Sequence, residues 1–324
     1  MSATFVLSLD AELAWGAFDK KFGPELVRAA EWESREGIPK LLELLCRHRI
    51  SATWAFVGHA TLDRCSGHQE LEPVSHERYT GDWFQYDPAS DESQHPEWYA
   101  RSSFLQVLKA PYPQEIAFHS FSHIDFANPG TPRQRAEQEF AACRKIAREF
   151  GVRGDVFVYP RNRVGFLDEL REAGFRTFRP PDRTRFRSRY AIVNRVGGVL
   201  ADFLGIAPLP VAPYLDRELV ALPGSMMLRP MDGWRRLIPV GARRARMQKG
   251  VERCIREGGI FHLWLHPIQL YCQQETMLQL LEECLGRVSL LRDRGDLQVS
   301  TMGDTAEKYL TSLEPAAQMV CASG

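Results

Sequence analysis

Short apolar strands and amphipathic helices alternate along the first half of the chain. The segments TFVLSLD (4–10), SATWAFVG (51–58) and EIAFHS (115–120) have the apolar character of buried strands. Between the first two, GIPKLLELLCRHRI (37–50) repeats apolar residues at the spacing of one helix face. Residues 131–151 predict a second helix, with a threonine and a proline at its start and a glycine at its end.

The second half continues this alternation. VFVYP (156–160), FRTFR (175–179) and GGIFHLWLHP (258–267) are strand-like, whereas FLDELREAG (166–174) and ETMLQLLEECLGRVSLLRDRG (275–295) are helical. Strands separated by helical crossovers predict a mainly parallel α/β sheet, closed as a barrel.

Two segments interrupt the alternation. Residues 59–114, the aromatic insert, are rich in His, Trp, Tyr, Asp and Pro, and residues 180–247, the arginine-rich insert, carry many arginines and prolines. Both contain too many aromatic residues for disordered linkers. We expect a single domain over residues 1–324, with both segments inserted as loops at one rim of the barrel.

Composition narrows the function classes. Lys+Arg and Asp+Glu both number 41, so no overall charge attracts nucleic acid or an anionic membrane. The N-terminus lacks the pattern of a signal peptide, and no apolar stretch is long enough to span a bilayer. The seven cysteines include no C-x-x-C pair and are interpreted as reduced core thiols of a cytoplasmic protein, not as a disulfide frame or a thiolate zinc site.

Reactive side chains stand at the ends of four predicted strands. They are Asp10 and Glu12, His119 and His123, Arg161, and His266. In a parallel barrel the carboxyl ends of the strands meet on one face, so these groups are expected to lie together. The spacing H-x-x-x-H alone is a weak signal, but two histidines and a neighbouring carboxylate form a recurrent open site for a catalytic divalent ion.

At these positions the chain resembles the polysaccharide deacetylases, the NodB-homology group or family 4 carbohydrate esterases. The acidic pair in LSLDAE (7–12), the strand SATWAFVG, the metal motif HSFSH (119–123) and the final strand FHLWLHP (261–267) follow the order of that family. The resemblance covers residues 4–178 and 258–310 and leaves both inserts uncovered. It implies a distorted (β/α) barrel of about seven parallel strands with inserted rim loops.

The resemblance also implies roles for individual residues. Asp10 would be the general base, His119 and His123 metal ligands with Glu12 as the carboxylate ligand, and His266 the general acid. Leu265 would lie in the wall of the acyl pocket. The ion would be zinc first, or cobalt, iron or manganese, because histidine and carboxylate ligands suit all four.

Three departures from the family pattern are present. Ala11 separates the two acids, which are usually adjacent, and Arg161 follows Pro160 instead of preceding it. Arg161 could reach Asp10 or hold an anionic substrate. The family's Asp–Trp motif has no match, which leaves the group that orients His266 unassigned.

Other residues have two interpretations each. Trp264, Trp83, Tyr86 and Trp98 could contact a sugar, although the three from the aromatic insert could equally form that insert's own core. His262 is interpreted as a core or wall histidine, and Asp125 as a turn cap in preference to a partner of a ligand histidine. The arginines between 161 and 195 could hold a phosphate, or form a solvated, ion-paired loop. Residues 225–247 could touch a membrane, but a loop packed on the barrel is favoured.

These observations predict a metal-dependent N-deacetylase acting on a small or lipid-linked N-acetylated sugar. Two alternatives stay open. The same barrel also serves deformylases and cyclic-amide hydrolases, and the altered motifs are compatible with a sugar-binding protein that has lost catalysis.

Overall fold

The computed structural model describes residues 2–74, 81–182, 198 and 200–321. Within them a ten-stranded sheet forms the centre of the molecule. Its strands are β1 (Thr4–Ala11), β2 (Thr53–Phe56), β3 (Glu115–Phe118), β4 (Val156–Val158), β5 (Thr177–Arg179), β6 (Tyr214–Asp216), β7 (Leu219–Ala221), β8 (Met226–Met227), β9 (Ile260–Leu265) and β10 (Gln298–Val299).

β1 is the central strand. It pairs in parallel with β2 on one side, β9 on the other, and β10 near its start. All eight residues of β1 and all six of β9 are buried. Strands covered on both faces read as continuous apolar runs, which explains why both were visible in the sequence.

The sheet curls back toward itself. Its order is β6-β7-β5-β4-β3-β2-β1-β9-β8, and β6–β7 is its antiparallel pair. β7 and β8 lie near opposite ends of this order, yet only residues 222–225 separate them in the chain. The five Cα–Cα steps from Ala221 to Met226 span at most about 18 Å, so the two ends of the sheet must approach each other. The predicted barrel is therefore confirmed as a curled, mostly parallel sheet.

Helices cover the outside of the sheet. They are α1 (Phe18–Lys21), α2 (Pro24–Trp32), α3 (Ile38–His48), α4 (Arg101–Leu108), α5 (Arg133–Glu149), α6 (Leu167–Glu172), α7 (Val240–Glu257), α8 (Gln274–Asp293) and α9 (Met302–Cys321), with a π-helical turn at Glu33–Gly37. α3 packs against α8, and α8 against α7. No helix in the described part of the chain has the length and apolar character needed to cross a membrane.

The arginine-rich insert differs from its prediction as a rim loop. It supplies β6, β7 and β8, and β7 extends the sheet beyond β5 while β8 pairs with β9. Its end also begins α7. Strands of two or three residues are too short to show a period of two, so the sequence pattern could not reveal them.

We expect Leu281→Ala in α8 to lower the free energy of unfolding by about 2–5 kcal/mol, because it leaves a cavity in the core. Leu281 is fully buried, whereas Leu290 of the same helix is 43% exposed. Leu290→Ala is the matched control and should change stability by at most about 0.5 kcal/mol. Urea denaturation followed by circular dichroism measures both, and equal losses would contradict the packing described for α8.

Candidate active site

The end of β1 brings two carboxylates into the interior. Asp10 belongs to the strand and pairs in register with Ala55 of β2, and Glu12 follows one residue after the strand ends. Asp10 is 1% exposed and Glu12 7%. Carboxylates this deeply buried require partners, and the neighbouring strands supply them.

Glu12 meets both histidines of HSFSH. Its Oε1 lies 2.8 Å from His119 Nε2 and 3.1 Å from His123 Nε2, and His266 Nε2 is 3.3 Å away. Burial alone would raise the pKa of Glu12, but His266 and His123 outweigh it and hold that pKa well below its ordinary value. The predicted ligand trio therefore converges on a single carboxylate oxygen.

The donor pattern of this trio fits a bound cation. His119 Nδ1 lies 2.8 Å from the carbonyl oxygen of Val158 and donates its proton there. With Nδ1 as the donor, the tautomer that places the lone pair on Nε2 would offer it to a cation shared with Glu12 Oε1. Burial lowers the pKa of His123 to about 4, which keeps its ring neutral, the form in which imidazole binds metals. A divalent ion between these atoms would satisfy all three ligands.

Arg179, at the end of β5, binds Asp10. Its Nη1 donates to Oδ1 at 2.9 Å and its Nη2 to Oδ2 at 2.5 Å, a bidentate contact in which both side chains are about 1% exposed. Burial alone would raise the pKa of Asp10, but Arg179, with His119 and His266, lowers it. Asp10 is thus an oriented, ionised carboxylate.

The arginine expected near Asp10 lies elsewhere. Arg161 pairs with Asp19 at 2.5 Å, on the wall of the cavity described below. Arg161 was expected to reach Asp10 or to hold an anionic substrate. The contact with Asp10 is made by Arg179 instead. Arg179 also stands at the end of a predicted strand, FRTFR, the position at which the other reactive side chains were found.

A chain of hydrogen bonds fixes Arg179. Its Nη1 donates to Ser8 Oγ at 3.0 Å, and its Nη2 to Asn162 Oδ1 at 3.2 Å. Ser8 Oγ also lies 2.8 Å from Nε2 of His262, whose Nδ1 is 3.0 Å from the carbonyl oxygen of Pro223. Burial lowers the pKa of His262 to about 3, so the ring is neutral. His262 is thus a buried residue that supports the site without lining it.

His266 stands beside both carboxylates. Its Nε2 is 3.7 Å from Asp10 Oδ2 and 3.3 Å from Glu12 Oε1. Burial alone would lower the pKa of His266, but Glu12 and Asp10 outweigh it and raise it to about 9. The ring is therefore protonated at neutral pH. Its buried Nδ1 has no hydrogen-bond partner among the described residues.

Trp264 is held by a carboxylate that the sequence did not reveal. Its Nε1 donates to both oxygens of Asp182, at 3.0 and 3.1 Å. The guanidinium carbon of Arg179 lies 4.2 Å from the centre of the Trp264 ring. The ring of His266 also packs against this indole, with the ring centres 5.5 Å apart. An Asp–Trp contact thus exists across 82 residues, where a local motif search could not find it.

The HSFSH loop is braced from α5. Glu139 Oε2 accepts the backbone N–H groups of Phe121 and Ser122, both at 2.8 Å, and its Oε1 accepts from Ser122 Oγ and Arg135. Glu139 and Arg135 are almost completely buried. This pair therefore fixes the backbone between His119 and His123.

The loops that carry the site adopt a strained backbone. Non-glycine residues with φ near +60° occur beside Glu12, within HSFSH and after β4; they are Leu13, Ser120, His123, Arg161 and Asn162. This left-handed region costs free energy for residues with a side chain, and such residues concentrate at functional sites.

The site opens into a cavity of about 900 Å³. Asp10, Glu12, His119, His123 and His266 lie on its wall, as does Trp264. Its cationic lining residues are Lys20, Arg28, Arg161, Arg179, Arg229 and Arg235, and its acidic ones are Asp10, Glu12, Glu25 and Asp232. The cavity is large enough for a sugar with a substituent.

Four predicted substrate contacts lie outside this lining. Leu265 is fully buried, and Trp83 and Trp98 are 3% and 1% exposed. Trp83 and Trp98 both pack on Phe18, and Tyr86 stacks on Phe22 with the ring centres 4.5 Å apart. The positions of Trp83 and Trp98 agree with the alternative interpretation, a packed aromatic core, because buried indoles cannot stack on a ligand. Tyr86 is 38% exposed, and its contact with a substrate stays a prediction.

Three further expectations concern Asp125, the arginine cluster and residues 225–247. Asp125 accepts the N–H of Ala127 at 3.1 Å and pairs with Arg163, so it caps a turn. Arginines 183, 185, 187, 189 and 195 of the predicted cluster lie outside the described residues. Residues 225–247 contribute β8 and the start of α7, packed on the barrel.

No protein-family model and no curated protein matches the sequence. Solved structures do. One from Mycobacterium smegmatis, named as a polysaccharide deacetylase, is 15% identical with a TM-score of 0.64 and covers 95% of this chain and 90% of its own. A second so named, from Pseudomonas aeruginosa, is 14% identical with a TM-score of 0.58, over 94% of this chain and 89% of its own.

The chain has the polysaccharide deacetylase fold. PuuE allantoinase is also similar, at 12% identity and a TM-score of 0.57, over 94% of this chain and 89% of its own. The polysaccharide deacetylase fold therefore agrees with the resemblance found in the sequence motifs.

We expect Glu139→Gln to lower the free energy of unfolding by about 3–5 kcal/mol, because it leaves the charge of Arg135 buried without its partner. Glu137→Gln is the matched control on the same helix, since Glu137 is about half exposed and pairs with Arg133 at the surface. It should cost at most about 1 kcal/mol. Chemical denaturation of both variants tests this, and a small effect of Glu139→Gln would refute the bracing role.

Proposed function

We propose that the protein is a metal-dependent hydrolase that removes the acetyl group from an N-acetylated sugar, releasing acetate and a free amine. One observation carries the proposal. A carboxylate faces two histidines, with a second oriented carboxylate and a protonated histidine beside it, on the wall of a cavity that can hold a sugar. The polysaccharide deacetylase fold supports the same class of reaction.

Glu12, His119 and His123 would hold the divalent ion. When bound, it supplies a Lewis acid that polarises an acyl carbonyl group and acidifies a water molecule. Histidine and carboxylate ligands without thiolate suit zinc first, and also cobalt, iron or manganese. The backbone carbonyl of Val158 keeps His119 in the tautomer that offers Nε2 to the ion.

Asp10 would act as the general base. Arg179 engages both carboxylate oxygens, which orients the group and keeps it ionised, so it can accept the proton of the attacking water. Arg179 also disperses the charge of Asp10 beside Glu12. Without this guanidinium, two ionised carboxylates in one buried site would repel each other.

His266 would act as the general acid. An amide nitrogen leaves only when it receives a proton, and the imidazole Nε2 of His266 lies beside both carboxylates, where it can deliver one. Trp264 packs against the imidazole ring and is itself held by Asp182. The indole therefore helps to orient the ring that donates the proton.

The arginines on the cavity wall offer hydrogen-bond donors to an anionic group near the sugar. Its Lys and Arg side chains outnumber its Asp and Glu side chains, and arginine is suited to bidentate contact with phosphate. Arg161 lies on this wall. Because Arg161 pairs with Asp19 and Arg229 with Asp202, the lining charges balance, so a nucleotide-linked or lipid-linked sugar phosphate would bind through arginine hydrogen bonds and not through a net positive charge.

A second candidate function is hydrolysis of a cyclic amide. The similarity to PuuE allantoinase, whose name denotes that activity, favours it. The same residues would serve, since the bond broken is again an amide C–N bond. The two candidates differ in product, because ring opening releases no acetate.

The test measures metal content and acetate release together. Protein purified without a chelator or a histidine tag is analysed by plasma mass spectrometry and incubated with N-acetylated sugars, free and phosphate-linked. We expect the His119→Ala/His123→Ala variant to contain about one ion fewer per chain than the parent, and to release no acetate. Asp10→Asn should keep the ion and lose activity.

Different results separate the candidates. Ring opening of cyclic amides without acetate release would favour the second candidate. An equal metal content in parent and double variant would overturn the assigned ligands, and with them the metal-dependent mechanism.

We expect Arg179→Lys to lower kcat by about 100-fold or more, because a single ammonium group cannot hold both oxygens of Asp10. Arg176→Lys is the matched control, since Arg176 is exposed and precedes β5. Acetate release and metal content are measured for both variants. A fully active Arg179→Lys protein with unchanged metal content would exclude Arg179 as the group that orients the base.

A further inference from the structure

A second cluster of metal-binding side chains lies in the aromatic insert. The insert cluster consists of His59, Cys65, His68 and Asp87. His59 belongs to the 3₁₀ turn that follows β2, and the other three come from the loops after it. The side chains of His59, His68 and Asp87 are at most 6% exposed, and Cys65 is 5% exposed. None of them lines the large cavity of the described structure.

Four ligand atoms of different residues point at one place. His68 Nε2 lies 2.7 Å from Asp87 Oδ2, 3.0 Å from His59 Nε2 and 3.1 Å from Cys65 Sγ. Asp87 Oδ2 lies 3.2 Å from His59 Nε2 and 3.6 Å from Cys65 Sγ. Ligands bonded tetrahedrally to zinc at about 2.0–2.3 Å are separated by roughly 3.3–3.6 Å, so the cluster needs only a small expansion to enclose an ion.

A catalytic triad would have a different geometry. In a Cys–His–Asp triad the thiol and the carboxylate contact opposite nitrogens of the imidazole ring. Here Cys65 and Asp87 both contact Nε2 of His68, and Nε2 of His59 faces the same point. One nitrogen cannot hold a proton for three neighbours, whereas a cation at the centre contacts all four ligands at once.

Outer contacts orient the ligands of the cluster. Asp87 Oδ1 accepts from Tyr99 Oη at 3.0 Å and from the N–H of Ala89 at 3.1 Å, which leaves Oδ2 directed into the cluster. The N–H of Gly67 donates to Cys65 Sγ at 3.3 Å. Gly67 has φ +118°, a conformation that favours glycine. Such contacts fix ligand direction around metal ions.

The charges of the cluster balance a divalent cation. A thiolate and a carboxylate carry two negative charges, and two neutral imidazoles add none. A divalent ion makes the buried group neutral overall, which removes most of the cost of burying its charges.

We propose that the insert cluster binds a second divalent ion, zinc by the chemistry of its donors, in a closed structural site. Four protein ligands leave no open position for a substrate, and a set containing Cys and His is typical of structural zinc. This inference goes beyond the proposed hydrolase and does not depend on it. It also differs from the sequence interpretation of Cys65 as a core thiol, although the spacing Cys65-x-x-His68 was a signal for it.

The second ion would stabilise the walls of the active site. The N–H of His59 donates to the carbonyl oxygen of Phe121, within HSFSH, at 2.8 Å. The ring of His59 packs on Trp15, which follows Glu12 in the same loop, with the ring centres 4.6 Å apart. An ion that fixes His59 would therefore support the loop that carries Glu12 and the HSFSH loop. These two loops form the first site, the proposed metal site of Glu12, His119 and His123.

Cobalt substitution tests the proposal. Chelator-treated protein is reconstituted with Co²⁺ and its near-ultraviolet spectrum is recorded, because a thiolate bound to cobalt gives a charge-transfer band that His and carboxylate ligands do not. We expect the band in the parent and in His119→Ala/His123→Ala, and its loss in Cys65→Ser. Cys46→Ser is the matched control and should keep the band, since Cys46 lies outside the cluster.

The outcomes separate this proposal from the proposed function. A parent protein that binds cobalt without a thiolate band overturns the insert cluster while leaving the first site intact. A band that persists in Cys65→Ser does the same. In a third outcome, His119→Ala/His123→Ala keeps the band and contains as much cobalt as the parent. That result supports the insert cluster and refutes the first site.

A further variant covers the case in which Cys65→Ser fails to fold. Asp87→Asn keeps the side-chain shape and removes its charge, and we expect it to bind Co²⁺ in the thiolate site at least about tenfold more weakly. An unchanged affinity for this site would exclude Asp87 as a ligand and overturn the four-ligand proposal.

Discussion

Asp10 and Glu12 are carried into the interior at the end of β1, where ionised carboxylates lose most of their hydration. The surrounding strands supply the compensation. Arg179 at the end of β5 binds Asp10, while His119 and His123 after β3 face Glu12. Because parallel strands end on the same face, β1, β3, β5 and β9 deliver these groups to one place. The position of β1 at the centre of the sheet therefore determines where these side chains meet.

The site is held in position by buried polar groups outside it. Glu139 binds the backbone of HSFSH, and Ser8, His262 and Asn162 hold Arg179. Buried polar groups of this kind are costly unless all are paired, so each network permits few arrangements. Strained residues such as Ser120 and His123 persist because this network stabilises them. The same buried hydrogen bonds that make these loops rigid also orient the side chains of the candidate site.

The aromatic insert packs against the loops that carry the candidate site. Its indoles Trp83 and Trp98 pack on Phe18, close to the loop that follows Glu12. The proposed second ion would lie between this aromatic core and HSFSH, joined to both through His59. The ion at Glu12, His119 and His123 would take part in the reaction, and its His and carboxylate ligands would leave a position open. The ion in the insert cluster would hold the loops in place, and its four ligands, one of them a thiolate, would leave none open.

The sequence alone determined the long strands and helices, because β1, β9 and α3 show their periodicity locally. It also determined that acids and histidines at strand ends would meet, which follows from parallel topology. Only the tertiary structure decided which arginine binds Asp10, that Asp182 holds Trp264, and that Cys65 joins two histidines and Asp87. These contacts join residues far apart in the chain, and they depend on strand order and loop path. β6 to β8 were likewise decided by pairing with longer neighbours, since two or three residues carry no period of their own.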